Sequence, residues 1–415
     1  MPIGRRGRAA ALGASLLATA LTAMGESVPQ VELIPEYIRA LPGSDGRDSN
    51  DSSPIWAPGG ALLAFERAEE SRREIVLMRL DGTPVRTVYY QASGADDGLD
   101  TLLPGLGLAT SYNSGLAWSP RGERFVFMSN AGEGNYDLYL GSQQGKTSQR
   151  LTDSPQKDGL PDWSPTDNTV AFVSGRDGGA QLYLLEVDSR RIASVSMGDK
   201  AYLYPRWSPD GRRIAAIYGA NENHDIVLIE GDLRAVLRPA PVVVDSAGRR
   251  GADKTPSPAP VKPAPPPVSQ RALTTWRHDD LSPSWSPDGK RIAFYTNQNA
   301  DDDPRIWAIA VLDSSGATPG EGAELVAQVV ARNVIPDVTM GPAWLPDSRR
   351  IAYVRNDKHD YSPIYLVDVD SRQHWRLQTG TNINHDLAVS PQGVLAFRAQ
   401  VNQWDRIFLA KLPDR

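Results

Sequence analysis

The chain contains no cysteine. Disulfide bonds, thiolate metal sites and a lipid-modified cysteine anchor are therefore excluded, whereas the cellular compartment is left open. An excess of positive charge is also absent. The formal net charge is −6, and it becomes −9 without residues 1–25, which carry three arginines and no acid. Such a chain is not expected to bind nucleic acid, because phosphate binding relies on clustered Lys and Arg.

Long apolar runs are missing after residue 25, so no later segment is predicted to span a membrane. Residues 1–25 are typical of a secretory signal peptide. Three arginines form a basic start, residues 9–23 carry no charge, and Ala23-Met24-Gly25 offers small residues for cleavage. The alternative, a membrane anchor, is disfavoured because the run is short and rich in Ala. We therefore expect a periplasmic or secreted protein without a stable membrane span after signal cleavage.

Helical periodicity is absent as well, and one β-type unit recurs from residue 51 onward. It contains a Trp, a turn of the Ser-Pro-Asp-Gly type, an apolar run of the Ile-Ala-Phe type, a polar loop and two further short strands, most clearly at residues 284–294. Asp-Gly tolerates the positive φ of a tight hairpin, and Pro sets the turn entry. Seven copies begin at Trp56, Trp118, Trp163, Trp207, Trp285, Trp344 and Val389.

The spacing of the copies predicts the fold. Neighbouring copies lie 44 to 45 residues apart where no insertion intervenes, which is the period of a four-stranded propeller blade. We predict an all-β β-propeller of seven four-stranded blades, with six as the alternative, in one domain over residues 26–415. The seventh copy lacks an outer strand, and residues 31–41 are predicted to supply it and close the ring. The predicted blades are 51–90, 114–152, 159–196, 203–275, 281–330, 340–378, and 386–412 with 31–41.

One segment interrupts the fourth blade. Residues 239–270 contain nine prolines and four basic residues. This composition predicts a disordered, solvated insertion without a core of its own. A docking arm for a partner is the functional alternative, and a tolerated surface insertion is the interpretation we favour.

The repeat resembles the propeller repeat of TolB, a WD40-like repeat also called PD40. The resemblance rests on the Trp-Ser-Pro-Asp-Gly-x-x-Ile-Ala-Phe pattern and the Asp-Ile-Tyr-Leu-like strand after it, and it extends over about residues 50–412. TolB is the periplasmic component of the Tol–Pal envelope system. The resemblance therefore implies an exported propeller that works by protein–protein contact. TolB has six blades and an α/β domain before them, whereas here we expect seven blades and no such domain.

Two kinds of enzyme also use propellers of this type. Peptidases of the prolyl oligopeptidase type add a hydrolase domain with a Gly-x-Ser-x-Gly motif, and this sequence lacks that motif. A propeller lyase that cleaves oligogalacturonides uses a His-rich metal site. A metal-dependent carbohydrate-active enzyme of the lyase type is therefore the main alternative, and a propeller that binds a small molecule is the third hypothesis.

Strand order sorts the loops onto two faces. The Ser-Pro-Asp-Gly hairpins and the turns between third and fourth strands lie on one face, here called the turn face. The loops between second and third strands and the connections between blades lie on the other, here called the crossing face. The crossing face carries the longer loops rich in Asn, Asp and Gly and an insertion at residues 90–113. Because binding residues favour loops on a rigid scaffold, we predict the binding surface there.

Four of the five histidines precede an aspartate, and all four pairs are predicted on the crossing face. A metal site at the mouth of the central channel would use His278 and His385 with carboxylate ligands. Polar loops collect His and Asp in any case, so the prediction is no metal and no cofactor. The candidates for partner contact are His224, His278, Asp279, His359, His385, Asp386, Tyr112, Tyr202, Tyr204, Trp276, Tyr361 and Trp404.

Two repeat positions have structural explanations. The six repeating tryptophans share one position and are predicted to pack between blades rather than to form a ligand cage. Asp or Asn recurs five residues before that position, where its side chain is expected to cap the crossing turn. No catalytic residue is assigned, and the leading hypothesis is a monomeric, non-catalytic scaffold that binds an envelope protein of unknown identity. The five recurring acids and amides are Asp51, Asn113, Asp158, Asp280 and Asn384.

Overall fold

The computed structural model describes residues 31–42, 49–69, 72–88, 113–131, 135–220, 223–238, 268–275, 278–298, 303, 305–314, 327–357 and 361–413. The predicted signal peptide, residues 89–112 of the first insertion and residues 239–267 of the proline-rich insertion lie outside these ranges. No helix in the described ranges is long and apolar enough to cross a membrane.

Seven sheets form the blades of a ring, so the prediction of seven blades is confirmed and the six-blade alternative is wrong. Within each blade the four strands pair antiparallel. In chain order, β1 (Val31–Leu33) and β2 (Tyr37–Ala40) are followed by blade 1, β3 (Asn50–Trp56), β4 (Leu62–Glu69), β5 (Arg72–Arg79) and β6 (Pro84–Val88); blade 2, β7 (Asn113–Trp118), β8 (Arg124–Ser129), β9 (Asp137–Ser142) and β10 (Gln149–Arg150); and blade 3, β11 (Asp158–Trp163), β12 (Thr169–Ser174), β13 (Gln181–Glu186) and β14 (Arg191–Ser194).

The second half of the ring repeats this order. It consists of blade 4, β15 (Ala201–Trp207), β16 (Arg213–Ala220), β17 (Asn223–Gly231) and β18 (Val268–Ala272); blade 5, β19 (Asp280–Trp285), β20 (Arg291–Thr296), β21 (Trp307–Asp313) and β22 (Gln328–Val334); blade 6, β23 (Ala343–Trp344), β24 (Arg350–Val354), β25 (Ile364–Asp368) and β26 (His374–Leu377); and blade 7, β27 (Asn384–Val389), β28 (Val394–Val401) and β29 (Trp404–Lys411), completed by β2.

The N-terminal segment closes the ring, but it does so in two places. Strand β2 pairs antiparallel with β29 and supplies the outer strand that blade 7 lacks. Strand β1 instead pairs parallel with β26, as a fifth strand on blade 6. The prediction that residues 31–41 all belong to blade 7 is therefore wrong for Val31–Leu33. Pro35 lies between the two strands and has no N–H for a ladder, which favours a break at that point.

The core consists of seven buried apolar clusters, one in each seam between neighbouring blades. In the seam between blades 4 and 5, for example, Ile217 and Ile226 pack with Phe294. The repeating tryptophans lie in these seams with 5 to 9 % of their surface exposed. Because each seam is sealed by apolar burial, a polar group placed there needs a partner within the protein.

Most of the tryptophans also tie one blade to the blade before it. Nε1 of Trp285 donates to the Arg206 carbonyl of blade 4 at 3.0 Å. Trp56, Trp207 and Trp344 make the same bond at 3.1 Å, each to the carbonyl one residue before the repeat position of the preceding blade. The repeat thus fixes the spacing between blades as well as filling the seams.

Replacing Trp285 with Phe is expected to lower the free energy of unfolding by about 1–2 kcal/mol more than replacing Trp118 with Phe. The first change leaves the half-buried Arg206 carbonyl without this donor. The second removes an Nε1 that has no hydrogen-bond partner. Urea denaturation of both variants measures the difference, and equal losses would argue against an energetic role for the bond between blades.

The polar groups of the Ser-Pro-Asp-Gly motif are hydrogen-bonded within their own turn. Ser286 Oγ donates to Asp288 Oδ1 at 2.7 Å and accepts from the Arg291 N–H at 2.9 Å. Gly289 has a φ of 70°, a region that glycine adopts without strain. The Asp288 N–H reaches Ser348 Oγ of the neighbouring turn at 3.0 Å. This turn is therefore bonded within itself and to the turn of the next blade.

Candidate functional site

Seven left-handed residues ring the channel on the crossing face. In six blades the first strand shifts its register three residues before the repeat position, and a β-bulge of this kind re-aims side chains. At that position φ lies between 47° and 75° in all seven blades. Five of the seven residues are not glycine, and holding them there costs on the order of 1 kcal/mol each. The seven are Ser53, Gly115, Leu160, Tyr204, Ser282, Gly341 and Asp386.

A cavity of about 360 Å³ opens beside this ring, between blades 1, 5, 6 and 7. Its walls come from first strands, from the ends of second strands and from the crossing between blades 5 and 6. We call it the channel mouth. The residues of its wall used below are Ser53, Tyr295, Asp337, His385, Asp386 and Arg398.

An ion network forms one wall of the channel mouth. Nε of Arg398 lies 2.8 Å from Asp386 Oδ2, and its Nη1 donates to Asp405 Oδ2 at 2.9 Å. Asp386 also accepts the N–H of Ser53 across the seam between blades 7 and 1 at 3.1 Å. Although burial opposes it, the pKa of Arg398 is raised because Asp386 and Asp405 stabilise the charged guanidinium. Arg398 therefore stays charged and holds both carboxylates in place.

Asp337 forms the opposite wall, in the crossing between blades 5 and 6. Its Oδ1 accepts the N–H groups of Thr339 and Met340 at 3.0 and 3.1 Å and so shapes the loop. Its Oδ2 is buried without a hydrogen-bond partner. Burial raises the pKa of Asp337, and the negative charge of Asp386 adds to the effect. The Oδ2 atom of Asp337 therefore keeps acceptor capacity that a ligand could use.

His385 lines the same cavity as a neutral imidazole. Burial lowers its pKa below the usual value, and the positive charge of Arg398 lowers it further. His278 is not among the residues of this cavity. Within the described ranges, no three His, Asp or Glu side chains are arranged to hold a metal ion. The hypothesis of a metal bound by His278 and His385 therefore gains no geometric support.

A further carboxyl extends the acidic character of the channel towards blade 2. Glu66 accepts the N–H of Gly115 at 3.0 Å and an Arg73 nitrogen at 3.3 Å. Burial raises the pKa of Glu66, and Asp386 adds to the shift. The charge of Asp386 thus raises the pKa of both Glu66 and Asp337, so the arrangement suits a ligand that brings positive charge or hydrogen-bond donors.

The other predicted contact residues are not among those that line the channel mouth. His224 Nδ1 lies 2.7 Å from Asp279 Oδ1, between blades 4 and 5. Tyr361 is half-buried beneath the guanidinium of Arg376, 5.3 Å from the ring centre, and Trp404 is half-buried at the start of β29. Tyr204 is half-buried at the bulge of blade 4. Tyr112, Trp276 and His359 lie outside the described residues.

The prediction of Tyr202 as a contact residue is wrong. Tyr202 is fully buried, and its hydroxyl accepts the Met197 N–H at 3.0 Å and donates to Gln270. It occupies the position five residues before Trp207, where other blades carry Asp or Asn. The repeat position therefore indicates that Tyr202 belongs to the crossing turn. Its phenol makes the buried hydrogen bonds that Asp or Asn makes in other blades.

Sequence reasoning missed Ser53, Asp337 and Arg398 of the channel mouth. The bulge position three residues before the Trp carries five different residue types in the seven blades, so only the backbone reveals it. Arg398 lies in the second strand of blade 7, whereas Asp337 lies in the crossing between blades 5 and 6, so no shared repeat position links them. The carboxylate of Asp386 predicts a basic partner, but the sequence alone does not indicate which Lys or Arg it is.

Part of the chain matches known proteins in sequence. Residues 106–245 match the PD40 family, described as the TolB beta propeller domain. Over these residues the chain is similar to the TolB propeller domain. A TolB homolog of Chlorobium luteolum is 27 % identical over 135 residues, which cover 32 % of this chain and 26 % of the homolog. The match therefore spans about a quarter of the length of that relative.

Solved structures share the fold of this TolB-like chain at low identity. An oligogalacturonate lyase from Vibrio parahaemolyticus superposes with a TM-score of 0.59 at 10 % identity, covering 91 % of this chain and 94 % of the lyase. A puromycin-hydrolyzing peptidase of Mycobacterium tuberculosis gives a TM-score of 0.56 at 12 % identity, covering 89 % of this chain and 52 % of the peptidase. At these identities the likeness concerns the fold alone.

Proposed function

We propose that this TolB-like propeller is an exported, non-catalytic scaffold that binds a protein partner of the cell envelope through its crossing face, with the channel mouth at the centre of the contact. The compartment and the role in protein binding are carried over from the TolB resemblance. The crossing face is chosen over the turn face because of where exposed apolar side chains lie.

Apart from the N-terminal segment, the exposed large apolar side chains of the ring lie on the crossing face. Apart from Val31, Ile34 and Tyr37 in the N-terminal segment, the described residues include three exposed large apolar side chains, and all three lie in crossing-face loops. Val338 is 41 % exposed at the edge of the channel mouth, Val401 is 39 % exposed in the β28–β29 hairpin, and Met197 is 39 % exposed in the crossing from blade 3 to blade 4. Exposed apolar groups beside satisfied polar groups are typical of protein contact surfaces.

A photo-crosslinking amino acid at Val338 is expected to capture an envelope protein in intact cells, whereas the same amino acid at Lys290 on the turn face captures none. Lys290 is exposed and its turn is bonded within the ring. The adducts are identified by mass spectrometry after fractionation, which also reports the compartment. Equal capture at both positions, or capture of cytoplasmic proteins alone, would contradict the proposal.

The enzymatic alternative makes a different prediction. A metal-dependent lyase would contain stoichiometric metal when purified, and His385→Ala would lose it because His385 is the imidazole of the channel mouth. Elemental analysis of both proteins decides between the two functions. Retained stoichiometric metal in the wild type and its loss in the variant would count against a purely scaffolding role.

A further inference from the structure

The channel mouth contains hydrogen-bond acceptors that the described residues leave unused. Oδ1 of Asp337 accepts the N–H groups of Thr339 and the following residue at 3.0 and 3.1 Å, and the Thr339 hydroxyl at 2.7 Å. Its Oδ2 is buried and has no hydrogen-bond partner. The hydroxyls of Ser52 and Ser53 and the ring of His385 line the same cavity, and none of these three side chains is hydrogen-bonded within the described ranges. The cavity is therefore rich in free acceptors.

The charged side chains of the cavity wall do not balance. Asp337 and Asp386 are its acids, and Arg398 is the one arginine or lysine among the residues that line it. Arg398 is already held by Asp386 and by Asp405, which lies outside the lining. His385 adds no charge, because burial lowers its pKa and its ring is neutral. The wall thus lacks one positive charge, which favours a monovalent cation as the ligand.

The ionisation of Asp337 would respond to such a ligand. Burial raises the pKa of this carboxyl, and the charge of Asp386 adds to the effect. A cation beside Oδ2 would lower that pKa again, because an opposite charge stabilises the carboxylate. Binding of a cation and ionisation of Asp337 therefore favour each other.

One free carboxylate oxygen suits an ammonium group better than other cations. A guanidinium pairs with both oxygens of a carboxylate, and Oδ1 of Asp337 is already used by the loop. An ammonium is a compact charge with three donors, and the wall offers Oδ2, the serine hydroxyls and the neutral imidazole as acceptors. A metal ion is disfavoured, because no three His, Asp or Glu side chains of the described ranges are arranged to hold one.

The remaining wall suits an aliphatic chain. Val354 and Leu387 are buried residues of the lining, and Ile335 is a half-buried one. A lysine packs its methylene stem along apolar surface of this kind while its ammonium reaches a polar group. Val338 lines the same cavity with 41 % of its surface exposed, so the cavity is reached from the crossing face.

We propose that the channel mouth binds a lysine side chain of the protein partner, with the ammonium at Oδ2 of Asp337 and the methylene stem against Val354 and Leu387. That the lysine belongs to a protein partner rests on the function proposed above. The lysine supplies the positive charge that the wall lacks, and its donors match acceptors that the fold leaves unused. An arginine side chain or a metal ion at this place is an outcome that the test distinguishes.

The test uses N-acetyl-lysine methylamide as the probe and the intact purified protein, labelled with ¹³C in its histidine rings. NMR at pH 8, where the amine of the probe is protonated, follows the ring signals during the titration. His385 lines the cavity, whereas His374 contacts the Tyr353 hydroxyl in blade 6. We expect the His385 signal, assigned by its loss in His385→Gln, to shift with a dissociation constant on the order of 1–10 mM. The His374 signal should stay in place.

Two variants test the contact from opposite sides. Asp337→Asn should weaken binding at least about tenfold, because a charge-assisted contact is lost while one side-chain oxygen remains to shape the loop. Ser52→Lys places an ammonium at the cavity from within the chain and should abolish the response, which decides the test if Asp337→Asn does not fold. Asp188→Asn is the matched control. Asp188 pairs with Arg124 on the turn face, so this variant should bind the probe as the wild type does.

Several results would overturn the proposal. The Nε-acetylated probe keeps the methylene stem without the charge and should bind at least about tenfold more weakly. Equal binding of the two lysine probes, or equal binding by wild type and Asp337→Asn, would rule out the lysine site. Tighter binding of N-acetyl-arginine methylamide would assign the cavity to a guanidinium, and a shift of the His385 signal with Ca²⁺ but not with the lysine probe would assign it to a metal ion.

The outcome is independent of the crosslinking at Val338. Capture of an envelope protein there, without a response to the lysine probe, would retain the proposed function and remove the lysine site. A response to the probe that Asp337→Asn abolishes, without capture in cells, would retain the site and count against the proposed function.

Discussion

Asp280→Asn is expected to stabilise the protein by about 2–4 kcal/mol above pH 7. Asp280 is fully buried in the seam between blades 4 and 5 without an arginine among the described residues, and its pKa is raised to about 7. Asn is nearly isosteric, carries no charge and already occupies the same repeat position in blades 2 and 7, as Asn113 and Asn384. The substitution therefore removes a buried charge without a new shape.

The sign of the pH dependence follows from the direction of this shift. The folded state holds the Asp280 proton more tightly than the unfolded state, in which the carboxyl has its ordinary pKa near 3.8. Stability contributed by the neutral carboxyl is complete below that ordinary value and is lost as pH rises towards 7. Wild type and Asp280→Asn should thus be similar at pH 4 and diverge up to about pH 7. Urea denaturation at each pH measures the difference.

Asp51→Asn is the matched control and should act in the opposite direction. Asp51 stands at the same repeat position of blade 1 and is also fully buried, but Arg67 contacts both of its oxygens, at 2.7 and 3.0 Å. Its neutralisation leaves a buried guanidinium without its partner, which costs about 3–5 kcal/mol. If Asp51→Asn and Asp280→Asn changed the free energy of unfolding in the same direction, the account of both seams would be contradicted.

Deleting residues 31–42 is expected to lower the melting temperature by 10 °C or more, because the ring loses its closure. Strand β2 completes blade 7, and Leu41 and Leu33 are buried with 0 % and 2 % of their surfaces exposed. Loss of each leucine contact costs roughly 2–5 kcal/mol. The deletion also exposes the edges of β29 and β26, which increases the tendency to aggregate.

Two smaller changes separate the two halves of this closure. Leu41→Ala acts on the cluster between blades 7 and 1, whereas Leu33→Ala acts on the cluster between blades 6 and 7. Each should destabilise by about 2–5 kcal/mol. Differential scanning calorimetry of the deletion and both variants measures the effects. A deletion that leaves the melting temperature unchanged would show that the N-terminal strands are dispensable for the ring.

Local pattern predicted most of the fold. The Trp, the turn and the apolar run of each copy form one hairpin, and a hairpin depends on neighbours within about ten residues of sequence. The number of copies and the need for a closing strand follow by counting. The split of the N-terminal segment between blades 6 and 7 was not predictable, because parallel pairing of β1 with β26 joins residues more than 300 positions apart.

The sequence predicts a binding surface on the crossing face and names two of the residues that line the channel mouth. His385 and Asp386 were found from their pairing in a loop, whereas Asp337 and Arg398 join them through contacts between blades. The prediction for Tyr202 is wrong because an aromatic residue in a loop need not be accessible. Its repeat position places it in the crossing turn, where it is buried and bonded to the backbone. Exposure is a property of the assembled seams, and local sequence does not contain it.

The repeating hairpin at residues 284–294 shows where sequence and tertiary structure divide their roles. The sequence by itself determined that this chain builds seven hairpin-based blades, since turn chemistry and strand period act over a few residues. Only the tertiary structure decided which buried acids are paired. Asp51, Asp158 and Asp280 share one repeat position. Arg67 neutralises Asp51 and Arg176 neutralises Asp158. No arginine of the described residues pairs with Asp280. The physical reason is that a buried charge depends on the groups that packing brings around it, and packing in a ring joins residues from different blades.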